Sequence, residues 1–181
     1  MCSYSKASPQ GEGFGCQTIT DERRPPMEIR LATPGDIPGL TDLLLQVGQV
    51  HHEIRPDIFR DGCLKYTENE LLELLKDENR PIFVGISEEK VQGYCFCQLR
   101  LYDGTGVSTH RKEMYIDDLC VDENARGTGV AKALYTHAQS YAREIGCQFV
   151  ILNVWCGNGR AMAFYEKMGL RPRNIMLETA L

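Results

Sequence analysis

Apolar and polar residues alternate regularly from Met27 onward and show no period before it. Residues 1–26 are rich in Gly, Ser, Pro and Thr, which predicts a flexible arm ahead of one domain over 27–181. Met27–Ala32 alternates as a short strand. Thr33 and Pro34 then open a helix, the threonine as cap and the proline in the first turn, with Ile37, Leu40, Leu44 and Val47 at helical spacing. Beyond Pro56 and Gly62 a second helix is expected over Glu68–Asp77, with Leu71, Leu72 and Leu75 on one side. Three strands follow at Pro81–Ser87, Val91–Leu101 and Glu113–Val121. A short turn at Glu88–Lys90 makes the first two a hairpin, and a polar loop over Asp103–Arg111 leads to the third. Gly127–Ile145 reads as a helix with the stripe Val130, Leu134, Ala138 and Tyr141, closed by Gly146. Cys147–Trp155 is an apolar strand, Asn158–Met168 a short helix ended by Gly169, and Arg173–Leu181 a last strand.

This order, β α α β β β α β α β, implies an α/β (α+β) fold: a mixed, mostly antiparallel twisted sheet with helices on both faces. An antiparallel meander comes first. A right-handed crossover then joins Glu113–Val121 in parallel to Cys147–Trp155.

A length of 181 residues suits one core. No apolar run approaches the roughly 20 residues that span a bilayer, so no membrane partner is expected. The first 26 residues lack the apolar stretch of a secretory signal, which predicts a cytoplasmic protein. A net charge of −5 argues against bulk nucleic-acid binding. The eight cysteines include no CxxC pair and no zinc spacing with histidine, so they read as reduced thiols, and no metal is expected. Cys95 and Cys97 should share one side of a strand.

The chemistry concentrates in Leu119–Leu134. A strand ends at Val121, and Arg126, Gly127, Thr128, Gly129, Val130 and Ala131 open a helix. Two glycines let a ligand approach the backbone, and the first N–H groups of the helix have no internal acceptor. Such an end suits an anion, a pyrophosphate best. The segment is not a Walker loop, and Lys132 stands where the dinucleotide fingerprint needs glycine. A turn that merely links strand to helix is the other reading.

Arg126-x-x-Gly129-x-Ala131 resembles the acetyl-CoA pyrophosphate signature of the GNAT N-acetyltransferases. Asn158-x-x-Ala161-x-x-Phe164-Tyr165-x-x-x-Gly169-Leu170 is similar to that family's later motif, and the element order over Met27–Leu181 is similar too. The resemblance implies a GNAT-like fold and acetyl-CoA as acetyl donor. Backbone amides of Arg126–Ala131 would hold the pyrophosphate. The main chain of the Leu119, Cys120 and Val121 stretch would pair with the pantetheine between splayed strands, and Asn158 would touch the cofactor arm. Arg126, Lys132 and Arg160 would neutralise phosphate charge, or are ordinary surface residues. An oxyanion donor is implied near the Leu119 amide.

Acyl transfer to an amine requires a proton acceptor for the amine and a donor for the departing thiolate. By resemblance Tyr165 is the donor; the other reading is a core tyrosine behind Phe164. Asp117 and Asp118 are adjacent carboxylates in an apolar strand and should point to opposite faces. The stretch is similar to a strand of polyamine and amino-sugar acetyltransferases, which implies Asp117 as base, directly or through water. Asp118 is a second candidate or a structural acceptor. His51, His52, Glu53, Arg55 and Asp57 either bind the acceptor or form local caps. Trp155 reads as packing.

The acidic pair and the net charge favour a small cationic amine acceptor. A protein N-terminal or lysine acetyltransferase, and a non-catalytic acyl-CoA-binding module, are the alternatives. A longer acyl group would be decided near Leu119 and Asn153. The apolar stretch Ile175–Leu181 suits a homodimer through edge pairing.

Overall fold

Where apolar side chains fall on the two central strands decides which helices cover which face of the sheet. The computed structural model describes residues 27–181; the arm expected over residues 1–26 lies outside them. The strands β1 (Glu28–Leu31), β2 (Ile82–Ser87), β3 (Lys90–Asp103), β4 (His110–Val121) and β5 (Phe149–Leu152) lie in that spatial order. Every neighbouring pair is antiparallel except β4 and β5, which are parallel and joined through a helix as expected. The helices are α1 (Ile37–Ile54), α2 (Glu68–Leu74), α3 (Val130–Glu144) and α4 (Gly159–Lys167).

Alternation along β3 feeds two cores. Tyr94 and Phe96 join Leu40, Leu44 and Leu71 under α1 and α2, whereas Cys95 and Cys97 join Val130, Leu134 and Ala138 under α3. Helices therefore cover both faces. The two thiols share one side, with sulfurs 3.7 Å apart. Burying such a run of large apolar side chains is the main driving force for folding, at about 1.5–3 kcal/mol each.

The chain enters α1 through a short turn at Pro34–Asp36. Asp36 is buried there and accepts from Arg30 at 2.7 and 2.8 Å and from the Thr33 amide at 2.7 Å. Arg30, together with the Thr33 donors, holds the Asp36 carboxyl at about 2. Thr67 and Glu70 form a reciprocal cap at the start of α2.

Three expectations are corrected. Helix α3 starts at Val130 rather than Gly127, because Gly127 and Gly129 have φ of 78° and 96°, which no right-handed helix accommodates. In α2 the buried positions are Leu71 and Leu74, while Leu72 faces out. The strand expected over Arg173–Leu181 does not form; these residues are irregular and exposed. Among the described residues no backbone ladder holds the tail to β5. It is fixed instead by side chains, Arg173 on Glu113 at 2.9 Å and Glu178 on Arg55 at 2.6 Å. No helix among the described residues is long and apolar enough to cross a membrane.

Candidate active site

A slip in the β3–β4 register builds the centre of the site. Phe96 pairs with Asp118 and Cys97 with Ile116, so Asp117 is the extra residue of a β-bulge. Met114 and Ile116 pack under α3, whereas Cys120 packs under α1. The bulge reverses the alternation between them. Asp117 and Asp118 consequently turn to the same side, not to opposite faces as regular pleating would require.

Each carboxylate has its own partners. Asp117 Oδ2 accepts from Lys65 Nζ at 2.8 Å and from the Tyr66 hydroxyl at 3.1 Å. Asp118 Oδ2 accepts from the Tyr94 hydroxyl at 3.1 Å. Burial raises the Asp118 carboxyl above its ordinary value, although the charges of Lys65 and His51 oppose the shift. Burial likewise pushes up the phenols of Tyr66 and Tyr94. Burial works against the Lys65 ammonium, but its bond to Asp117 and the charge of Asp118 outweigh that and raise it. Tyr66 stacks on Phe96, which Tyr94 meets edge-on, with ring centroids 5.7 and 4.8 Å apart.

Beside the bulge the sheet opens. β4 and β5 pair only from Glu113–Phe149 to Ile116–Leu152. Beyond that pairing β4 runs on to Val121, and no described strand lies beside its outer edge there. The main chain of Leu119, Cys120 and Val121 is left at the opening. Asn153, just past β5, donates to the Tyr115 hydroxyl at 3.2 Å across it.

The opening leads to the start of α3. Arg126 is extended, Gly127 and Gly129 are left-handed, and the Thr128 hydroxyl donates to the Ala125 carbonyl at 2.6 Å. The helix begins with the Ala133 amide bonded to the Gly129 carbonyl, so the amides before Ala133 have no acceptor within the helix. A Cβ at Gly127 or Gly129 would meet nothing within 4 Å. The backbone there is open to a ligand, and this arrangement fits a pyrophosphate held by Gly129, Val130 and Ala131. Arg126, Lys132 and Arg160 are exposed.

Tyr165 comes from α4, on the other side of the opening. Its ring lies against Phe164 and Tyr135, with centroids at 5.0 and 6.3 Å. Burial, with the charges of Cys95 and Asp118 adding to it, pushes its hydroxyl far above the usual tyrosine range. The phenol therefore holds its proton, and the residue packs against the core on the α3 side of the sheet. Asn158 caps α4 by accepting from the Ala161 amide at 3.0 Å.

The segment after α1 divides. His51 faces Asp118 electrostatically and lies against Phe59, with ring centroids 5.0 Å apart. His52, by contrast, bonds the Phe59 carbonyl at 2.8 Å. Arg55 grips Asp57 at 2.9 and 2.7 Å and lies 5.7 Å from the Trp155 ring centroid. Glu53 accepts from Gln49 at 3.2 Å. His52, Glu53, Arg55 and Asp57 thus make local contacts, and His51 packs on Phe59 while its charge acts on Asp118. Sequence reasoning missed Lys65, Tyr66 and Tyr94. The first two lie in a linker without period. Tyr94 was traceable, since it sits two residues before Phe96 on the strand opposite Asp118.

The opening beside β4 thus runs from the two carboxylates at the bulge to the glycine-bracketed start of α3. The chain belongs to the acetyltransferase (GNAT) family, whose pattern matches residues 48–170. It is 39% identical over 57 residues to glucosamine 6-phosphate N-acetyltransferase of Trypanosoma brucei brucei, covering 32% of this chain and 37% of that one. It is 28% identical over 87 residues to N-alpha-acetyltransferase 30 of Schizosaccharomyces pombe, covering 48% and 55%. The matched stretch thus spans about a third to a half of these relatives. The crystal structure of a mutant of the BH1408 protein from Bacillus halodurans superposes with a TM-score of 0.82 at 31% identity, over 85% of this chain and 99% of that one.

Proposed function

We propose that this chain transfers an acetyl group from acetyl-CoA to a primary amine of a small molecule, by direct attack with donor and acceptor bound together. The observation that carries this reading is the β4–β5 opening, which runs from Asp117 and Asp118 at the bulge to the open helix start at Gly129. Family membership and the named activities of the relatives support it.

Gly129, Val130 and Ala131 hold the pyrophosphate through backbone amides, and Arg126 adds charge. The cofactor supplies the acetyl group as an activated thioester. Asp117 takes the proton of the incoming ammonium, directly or through water, and the freed amine attacks. Asp118, held by Tyr94, adds negative charge that draws the cation in. The Leu119 amide steadies the negative charge that develops on the carbonyl oxygen. Tyr165 gives its proton to the departing sulfur. An acceptor with a cationic amine suits two carboxylates on one face, and glucosamine 6-phosphate, named for a relative, is of this kind. The other relative is named for N-alpha acetylation, so N-terminal peptides are the second acceptor class. We further propose that residues 27–181 act as one domain and pair as a homodimer.

The test is thiol release from acetyl-CoA against a panel of polyamines, amino sugars and N-terminal peptides. Release with a small amine, lost in Asp117→Asn, supports the reading. Release only with peptides assigns the second class, and release with none removes the activity.

A further inference from the structure

The amine nearest the proposed base belongs to the protein itself. Lys65 Nζ is 2.8 Å from Asp117 Oδ2, with the Tyr66 hydroxyl on the same oxygen and the Tyr66 ring centroid 5.4 Å away. The Asp118 charge acts on the same ammonium. An ammonium between two carboxylates and beside an aromatic face is the setting that a cationic primary amine needs at this site. Lys65 lies in the linker between Ile54 and Glu68, outside any helix or strand. Its side chain is 40% exposed, and an ion pair so open to water costs little to break. Other lysines bind elsewhere: Lys76 to Glu73, Lys90 to Asp122, and Lys112 to the Ile145 carbonyl.

We propose that Lys65 is an acetyl acceptor of this same site, modified by the chain's own bound acetyl-CoA when no external amine competes. The proposal rests on the function assigned above. Asp117 removes a proton from the Nζ ammonium. The Nζ lone pair forms an amide bond to the thioester carbonyl, the carbon–sulfur bond breaks, and Tyr165 protonates the sulfur. The products are Nε-acetyl-Lys65, CoA thiol and one proton: of the two protons the nitrogen loses, one returns through water to Tyr165 and the other passes through Asp117 to solvent. The neutral amide no longer pairs with Asp117, so the modified linker leaves both carboxylates to an external amine.

The test incubates the full chain with acetyl-CoA alone and follows intact mass, with peptide mapping of the product. The expected result is one added acetyl group, on Lys65, at a first-order rate independent of protein concentration. Lys65→Arg, checked by thermal melt to be folded, should lose the label. Asp117→Asn should slow it by about tenfold or more. Label spread over surface lysines, or equal labelling of Lys65 in Asp117→Asn, would overturn the proposal. So would an unlabelled Lys65 in a protein that releases thiol with an external amine, and in that case the assigned function stands. A chain that neither melts higher with acetyl-CoA nor releases thiol with any amine overturns both.

Discussion

Asp117 and Asp118 are chemically identical neighbours with different surroundings, and the proposed roles follow from that difference. Asp117 meets an ammonium and is the proposed proton acceptor; Asp118 is held by Tyr94 in a half-buried position where desolvation raises its carboxyl. Asp117→Asn should lower kcat by about 10²-fold, whereas Asp118→Asn should act mainly on KM for a cationic amine, as steady-state kinetics would resolve. Tyr165 must be protonated to act, and burial raises its hydroxyl, so activity is lost only as pH rises through that raised value. The kcat/KM profile should therefore show no fall in the ordinary tyrosine range. Tyr165→Phe should lower kcat by about 10²-fold while leaving CoA binding intact. A fall in kcat/KM near pH 9–10, with an acceptor amine whose own pKa lies outside that range, would contradict the assignment.

Asp36 gives a stability prediction at the same scale. Its folded value of about 2 lies below the ordinary 3.8, chiefly through Arg30. A lowered folded value stabilises the protein above the unfolded value and stops doing so as pH falls from about 4 towards 2. The difference amounts to about 2 kcal/mol at neutral pH. Asp36→Asn should lower Tm by about 4–8 °C there, and the gap should close near pH 2.

Among the elements, the bulge in β4 and the start of α3 matter most. Gly129 has φ of 96°, so Gly129→Ala should cost about 1–2 kcal/mol in a melt through strain alone. It should also weaken CoA binding in a direct titration, because the new Cβ enters the open space at the helix start. The glycine pair, the α3 stripe and the parallel crossover were legible in sequence, since each rests on local spacing. The bulge was not. One inserted residue leaves no mark on composition, and it appears only when β3 fixes the register opposite Phe96 and Cys97. Lys65 and Tyr66 were hidden for a related reason: they reach Asp117 across 52 and 51 residues of chain.

For the whole molecule, the tail is where sequence pattern and structure part. Ile175, Met176 and Leu177 are 80%, 90% and 88% exposed, and β5 forms the edge of the sheet. Their apolar character predicted a strand, but a strand needs an edge to pair with, and the ladder to β5 is not made among the described residues. A second copy supplies the missing surface under the dimer proposed above. Sedimentation of the full chain should give a dimer, and removal of residues 174–181 should give a monomer; a full chain that sediments as a monomer would remove that proposal.

The central claim is that the opening between β4 and β5 and the start of α3 form an acetyl-CoA site. A thermal melt with and without acetyl-CoA tests it directly, with CoA and a plain nucleotide as controls. At about 100 times Kd the ligand should add about 2.7 kcal/mol, a rise of roughly 5–10 °C for a chain of this size. The account predicts that rise with acetyl-CoA and CoA and none with the nucleotide; no rise with either thioester or thiol would contradict it.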